Sequence, residues 1–223
     1  MTKKLCFEAI GKFTAGVFLV GALLFLPAGT VEYSGGWLLM GILFIPMFLA
    51  GLVMMAKNPN LLRSRLNAKE KEREQDQVVK LSGLMFLVGF ILAGLDFRFG
   101  WSELPFAVNW IGAVLFLSAY VLYAEVLREN TWLSRTVEVQ HGQQLVDTGL
   151  YAIVRHPMYA ATVLLFLSMP LILGSWISFL LFLPYPVLIA KRIQSEEQVL
   201  DGQLDGYTEY KSRVPYRMIP YIW

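Results

Sequence analysis

The chain of 223 residues has one cysteine, two histidines and 16% charged residues. A lone Cys6 excludes an internal disulfide and leaves no second thiolate for a zinc site, and His141 and His156 stand too far apart in sequence to suggest a metal pair. No metal is expected. The formal charge of +2 is too small, and the basic residues too local, for a nucleic-acid partner. Internal repeats and low-complexity segments are absent, which excludes solenoid architectures. What the chain does have is apolar residues, 56% of the total, far above an ordinary soluble domain and in the range of a membrane protein.

The apolar residues are gathered into runs. Residues 13–31 carry no charge and follow Lys3, Lys4 and Lys12; the pattern is like a signal peptide, but Leu26-Pro-Ala-Gly29 is a loose cleavage site and further spans follow, so a retained first helix is expected. Residues 33–56 form a second run with Trp37 as an interfacial anchor. Residues 57–80 alternate Lys and Arg with Glu and Asp, the pattern of a solvated helix with close opposite charges. Its basic residues assign that loop and the N-terminus to the cytoplasmic side. Residues 81–95 are apolar but short for a span, with Asp96 and Arg98 just beyond. Residues 104–124 are long enough to return, and Trp101 and Trp110 mark the outer interface. The interiors of these four spans hold no ionisable residue, which weighs against an ion pump or a proton-coupled carrier.

Residues 136–156 are polar and turn-rich, and residues 157–190 carry no charge. At about 1.5 Å per residue that run makes roughly 50 Å of helix, too long for one crossing and short for two. A hairpin of two short helices turning near Gly174-Ser175, with Pro170, Pro184 and Pro186 as kinks or ends, reconciles the two. The expected fold is therefore all-α: a polytopic integral membrane helical bundle of four spans (residues 1–135), then a loop, a C-terminal helical hairpin and a cytoplasmic C-terminal tail (residues 136–223), forming one structural domain.

Polar chemistry concentrates at the two mouths of that hairpin. Arg155-His156-Pro157 has a purely structural explanation, a polar cap before a proline in the first helical turn. Arg192 and Glu196, four apart, share a helix face that Val199 and Gln203 continue; as an exposed pair they would contribute only a few tenths of a kcal/mol. Both mouths open on one side, so His156 and Lys191 should come close.

Three blocks, Gly149-Leu-Tyr-Ala-Ile-Val-Arg-His-Pro-Met-Tyr159, Arg192-Ile-x-x-Glu-Glu-x-x-Leu200, and Gly206-Tyr-x-x-Tyr-x-x-x-Val214 followed by Ile219-Pro220, resemble the isoprenylcysteine carboxyl methyltransferase family, in its prokaryotic branch and related to phospholipid methyltransferases. The resemblance covers roughly residues 137–223. It implies S-adenosylmethionine as methyl donor, in contact with Gln143, Leu145, Val146, Tyr151, His156, Tyr159 and Glu196. It gives Arg192 to the substrate and makes Arg192 and Glu197 the catalytic candidates, with Tyr207 and Tyr210 packing the tail over the site. Many relatives have Pro at Leu150 and Gly at Ala161, a departure that bears on pocket width. The resemblance further implies a lipophilic carboxylate drawn from the bilayer of a prokaryotic cytoplasmic membrane, both termini cytoplasmic, and no obligate protein partner. Methylation of a lipid amine by the same architecture would need a base, Glu197 or His156. A sterol-reductase-type enzyme is a further class, set back by the lack of a Gly-rich phosphate loop, and a carrier a third.

Overall fold

The computed structural model describes residues 3–66, 73–102, 104–133 and 139–223. Its elements are α1 (Lys3–Ala28), α2 (Ser34–Lys57), α3 (Pro59–Leu66), α4 (Arg73–Phe99), α5 (Phe106–Glu129), a 3-10 turn (Gly149–Ala152), α6 (Pro157–Leu173), α7 (Trp176–Phe182), α8 (Tyr185–Gln203) and α9 (Tyr207–Arg213). Among the described residues five segments are long and apolar enough to cross a membrane: Lys4–Ala28, Ser34–Lys57, Asp76–Phe99, Phe106–Glu129 and the paired helices of Trp176–Gln203. The architecture is that of a polytopic helical membrane protein. Apolar side chains such as Phe18, Leu26, Ile45, Val114 and Val121 stay exposed on the outer surface, as lipid-facing residues do.

Because lipid is as apolar as leucine, association of these helices depends on close packing. Glycine supplies the approach around α6. A Cβ at Gly112 of α5 would stand 2.7 Å from the Ile172 nitrogen, and one at Gly35 of α2 would stand 2.8 Å from the Ile172 oxygen. Both helices therefore reach the backbone of α6 directly. Around them Leu24, Leu39, Phe90, Phe116, Phe182 and Ile193 form one buried core, with Phe86 meeting the rings of Phe166 and Phe182 edge-on at 4.5 and 5.3 Å.

The hairpin forms as expected, and it runs the depth of the bundle. Gly174 ends α6 in the left-handed conformation (φ 70°), and Ser175 caps α7 by accepting from the Ser178 N–H. The turn is fastened at the end of the bundle where α2 and α5 begin. The Tyr33 hydroxyl donates to the Leu173 carbonyl at 2.7 Å, and the Asn109 amide donates to the Ile172 carbonyl at 2.8 Å.

One expectation about charge is corrected here. The stretch at 81–95 is not a short span followed by charges: α4 extends from Arg73 to Phe99, and Asp96 lies inside it, 2% exposed. Its carboxylate is tolerated because it accepts from the Ser102 N–H and hydroxyl, each at 2.7 Å, and from the Ser175 hydroxyl at 2.5 Å. The charged stretch at 57–80 runs from the end of α2 through α3 and residues 67–72, which lie outside the described residues, into the first two turns of α4, where Asp76 and Lys80 pair at 2.6 Å. The expected pairs among Lys69, Glu70, Lys71 and Glu72 also fall outside the described residues.

Candidate active site

At the other end of the bundle, α5, α6 and α8 finish or begin together. The loop 139–148, the 3-10 turn and α9 close over them. The first piece to be fixed is the turn. The Glu129 carboxylate, in the last turn of α5, accepts from the Leu150 N–H at 2.9 Å, while Gly149 with φ 55° passes too close to Glu129 for a side chain. This presents Tyr151 inward, 7% exposed. Burial raises its hydroxyl to about 12, against a smaller lowering by the Asn130 hydrogen bond, so it keeps its proton at neutral pH.

His156 occupies the N-cap position of α6 and Pro157 the first helical turn, yet the His156 side chain does not cap. That part of the expectation is corrected. The imidazole Nε2 instead lies 3.3 Å from Glu197 Oε1. The same carboxylate accepts from Arg155 Nε at 2.8 Å and, on its other oxygen, from Arg217 Nε at 2.8 Å. Arg155 also donates to the Val214 carbonyl at 2.6 Å, and main-chain bonds from Arg155 to Tyr216 and from His156 to Arg217 tie the tail across the start of α6. Glu197 is 5% exposed and Arg155 8%. Together they make a buried clasp joining α6, α8 and the tail.

One residue earlier on α8 the arrangement differs. Glu196 faces a cleft, and its Oε2 accepts from the Tyr159 hydroxyl at 2.5 Å; the same hydroxyl accepts from Arg192 Nε at 2.9 Å. Tyr159 on α6 thus bridges the two residues that helical spacing puts on one face of α8. The cleft is partly open to solvent. Gln143, Leu145 and Val146 of the loop, Tyr151, His156, Tyr159, Arg192 and Glu196 all line it. Glu197 does not line it, and neither does Gln203 at the end of the expected α8 row, although Val199 does.

A family model described as Phospholipid methyltransferase matches residues 107–204.

That stretch begins in α5 and ends just after α8, so it contains every one of those cleft residues. Among curated proteins the chain is similar to Protein-S-isoprenylcysteine O-methyltransferase of Schizosaccharomyces pombe, 30% identical over 122 residues, 49% of this chain and 52% of that one. It is also similar to the Delta(14)-sterol reductase of Mus musculus, 33% identical over 91 residues, 40% of this chain and 22% of that one. The chain thus matches about half the length of the first and about a fifth of the second.

Sequence reasoning passed over two kinds of residue. Asn130, Trp132 and Leu133 line the cleft from the end of α5, a position no motif marks. Tyr207 and Tyr210 do pack as expected, in a small cluster with Val214, Leu145, Leu200 and Leu204, but both also line the cleft. The Tyr210 hydroxyl donates to the Tyr151 carbonyl at 2.7 Å, whereas the buried Tyr207 hydroxyl has no hydrogen-bond partner among the described residues.

Proposed function

We propose that the chain is a membrane methyltransferase that uses S-adenosylmethionine and methylates a lipophilic carboxylate presented from the bilayer. The observation that carries this reading is the pairing of Arg192 and Glu196 through the Tyr159 hydroxyl, on a cleft at the mouth of an apolar hairpin. The similarity to a methyltransferase family model over 107–204 supports the same reading.

The cleft walls suit the donor. Glu196 offers a carboxylate to an ammonium or to ribose hydroxyls, and Leu145, Val146 and Val199 offer apolar surface to the rest. Bound there, the donor would supply an electrophilic methyl group on a sulfonium. The acceptor carboxylate is already ionised at neutral pH, so this chain has only to hold and aim it, and a guanidinium can do so bidentately. Arg192 takes that role. Its Nε is anchored on the Tyr159 hydroxyl, which restricts the guanidinium.

Methylation of a lipid amine is the second reading, favoured by the description of the matching family model. It needs a free base to deprotonate the ammonium. Glu197 is badly placed for that task, being away from the cleft and already accepting from two arginines. His156, which lines the cleft, is the base left to an amine acceptor, and the carboxylate reading leads on Arg192. The similarity to a sterol reductase is confined to a fifth of that protein and adds no reductase chemistry to the cleft.

The direct test is titration of detergent-solubilised protein with S-adenosylmethionine. The wild type should bind, and Glu196→Ala should weaken binding by about tenfold or more, the loss of a charge-assisted hydrogen bond. Equal affinity in the variant removes Glu196 from the donor site.

A further inference from the structure

Asn130 follows the last residue of α5, and its side-chain amide is held at both ends. Its Oδ1 accepts from the Trp132 N–H at 3.0 Å, and its Nδ2 donates to the Tyr151 hydroxyl oxygen at 3.0 Å. A main-chain N–H can only donate, so the amide atom facing Trp132 has to be oxygen. The orientation of the amide follows from that, and so does the direction of the second bond. The NH2 end can only donate, so the Tyr151 hydroxyl must be the acceptor. Its own proton is left to be given elsewhere.

The rest of Tyr151 is already committed. Its N–H donates to the Thr148 carbonyl at 3.0 Å, and its carbonyl accepts from the Tyr210 hydroxyl at 2.7 Å. Among the described residues the hydroxyl proton has no acceptor. Tyr151 is 7% exposed, and both it and Asn130 line the cleft. A buried hydroxyl whose oxygen already accepts from Asn130 and whose proton is unspent is suited to donate to a ligand lone pair.

We propose that Asn130 is a positioning residue that sets the Tyr151 hydroxyl as a hydrogen-bond donor to an acceptor atom of the methyl donor bound in the cleft. This rests on the reading of the cleft as a donor site. The residues that carry it come from opposite ends of the loop 131–150, which explains why a polar residue ending a membrane span takes part in a site built otherwise from the hairpin.

The probe is S-adenosylhomocysteine, titrated calorimetrically into the full-length detergent-solubilised protein, so that no turnover is needed. Tyr151→Phe removes the proton and retains the ring. Asn130→Asp keeps an acceptor for the Trp132 N–H but presents an oxygen to Tyr151, which then donates its proton to Asp and withholds it from the ligand. Each variant should lose about five- to tenfold in affinity, the worth of one hydrogen bond. The double variant should be no weaker than Tyr151→Phe alone, because both changes remove the same donor. If Asn130→Asp binds like the wild type, or weakens the Tyr151→Phe protein as much as it weakens the wild type, the positioning role is overturned; the latter result would assign the effect to the added charge. Should Asn130→Asp fail to fold, Tyr151→Phe decides alone, and unchanged affinity overturns the proposal. Binding by the wild type with no change in the variants refutes this inference only, whereas no binding by the wild type refutes the donor site and this inference together.

Discussion

Replacing Glu197 separates a structural carboxylate from a catalytic one. The side chain is 5% exposed and accepts from Arg155 and Arg217, both at 2.8 Å, with the His156 imidazole at 3.3 Å. Glu197→Ala removes the acceptor and leaves the Arg155 guanidinium, itself 8% exposed, with only the Val214 carbonyl among the described residues. An uncompensated buried charge of this kind destabilises by about 3–5 kcal/mol. The Arg217 side chain, one third exposed, can return to water and should add little. At about 2–4 °C per kcal/mol for a chain of this size, unfolding followed by tryptophan fluorescence in detergent should move down by roughly 10 °C. Glu197→Gln keeps the shape and one acceptor oxygen but loses the charge, so its shift should be smaller. If either variant melts at the wild-type temperature while methyl transfer disappears, Glu197 belongs to the chemistry and the clasp interpretation is wrong.

Other perturbations address the cleft and its roof. Arg192→Ala should abolish most methyl transfer while leaving donor affinity within a few-fold of wild type, measured by titration beside a turnover assay; loss of both would mean that Arg192 holds the donor site together. Tyr207→Phe removes a buried hydroxyl that has no partner among the described residues, so the melting temperature of the unliganded protein should stay level or rise. Tyr210→Phe breaks a 2.7 Å bond to the Tyr151 carbonyl and should cost about 1 kcal/mol, visible as a lower melting temperature. Equal losses in the two tyrosine variants would contradict the bonding described here.

The order of spans and the hairpin turning at Gly174-Ser175 were legible in the sequence because each depends on local properties: run length, proline and a left-handed glycine. The meeting of Tyr159 with Arg192 and Glu196 followed from the hairpin, since once the run folds back its two ends must adjoin. What could not be read were the partners supplied from afar. Asp96 looks like a residue outside the membrane because isolated carboxylates avoid it, and its acceptance into α4 depends on Ser175, 79 residues on. Glu196 and Glu197 are adjacent and chemically identical in sequence. Their fates diverge because successive helical residues point about 100° apart, one into the cleft and one into a clasp whose arginines lie 42 residues before and 20 after. Asn130 had no local signature at all, because its role comes from the return of the chain at Tyr151.

The most direct measurement supplies methyl-labelled S-adenosylmethionine to the purified protein with a membrane lipid extract, then treats the labelled lipid with mild alkali. Transfer to a carboxylate predicts a labelled lipid that loses its label on this treatment, as a methyl ester must. Label that survives alkali would assign an amine acceptor and contradict the role given to Arg192, and no labelled lipid at all would contradict the methyltransferase reading itself.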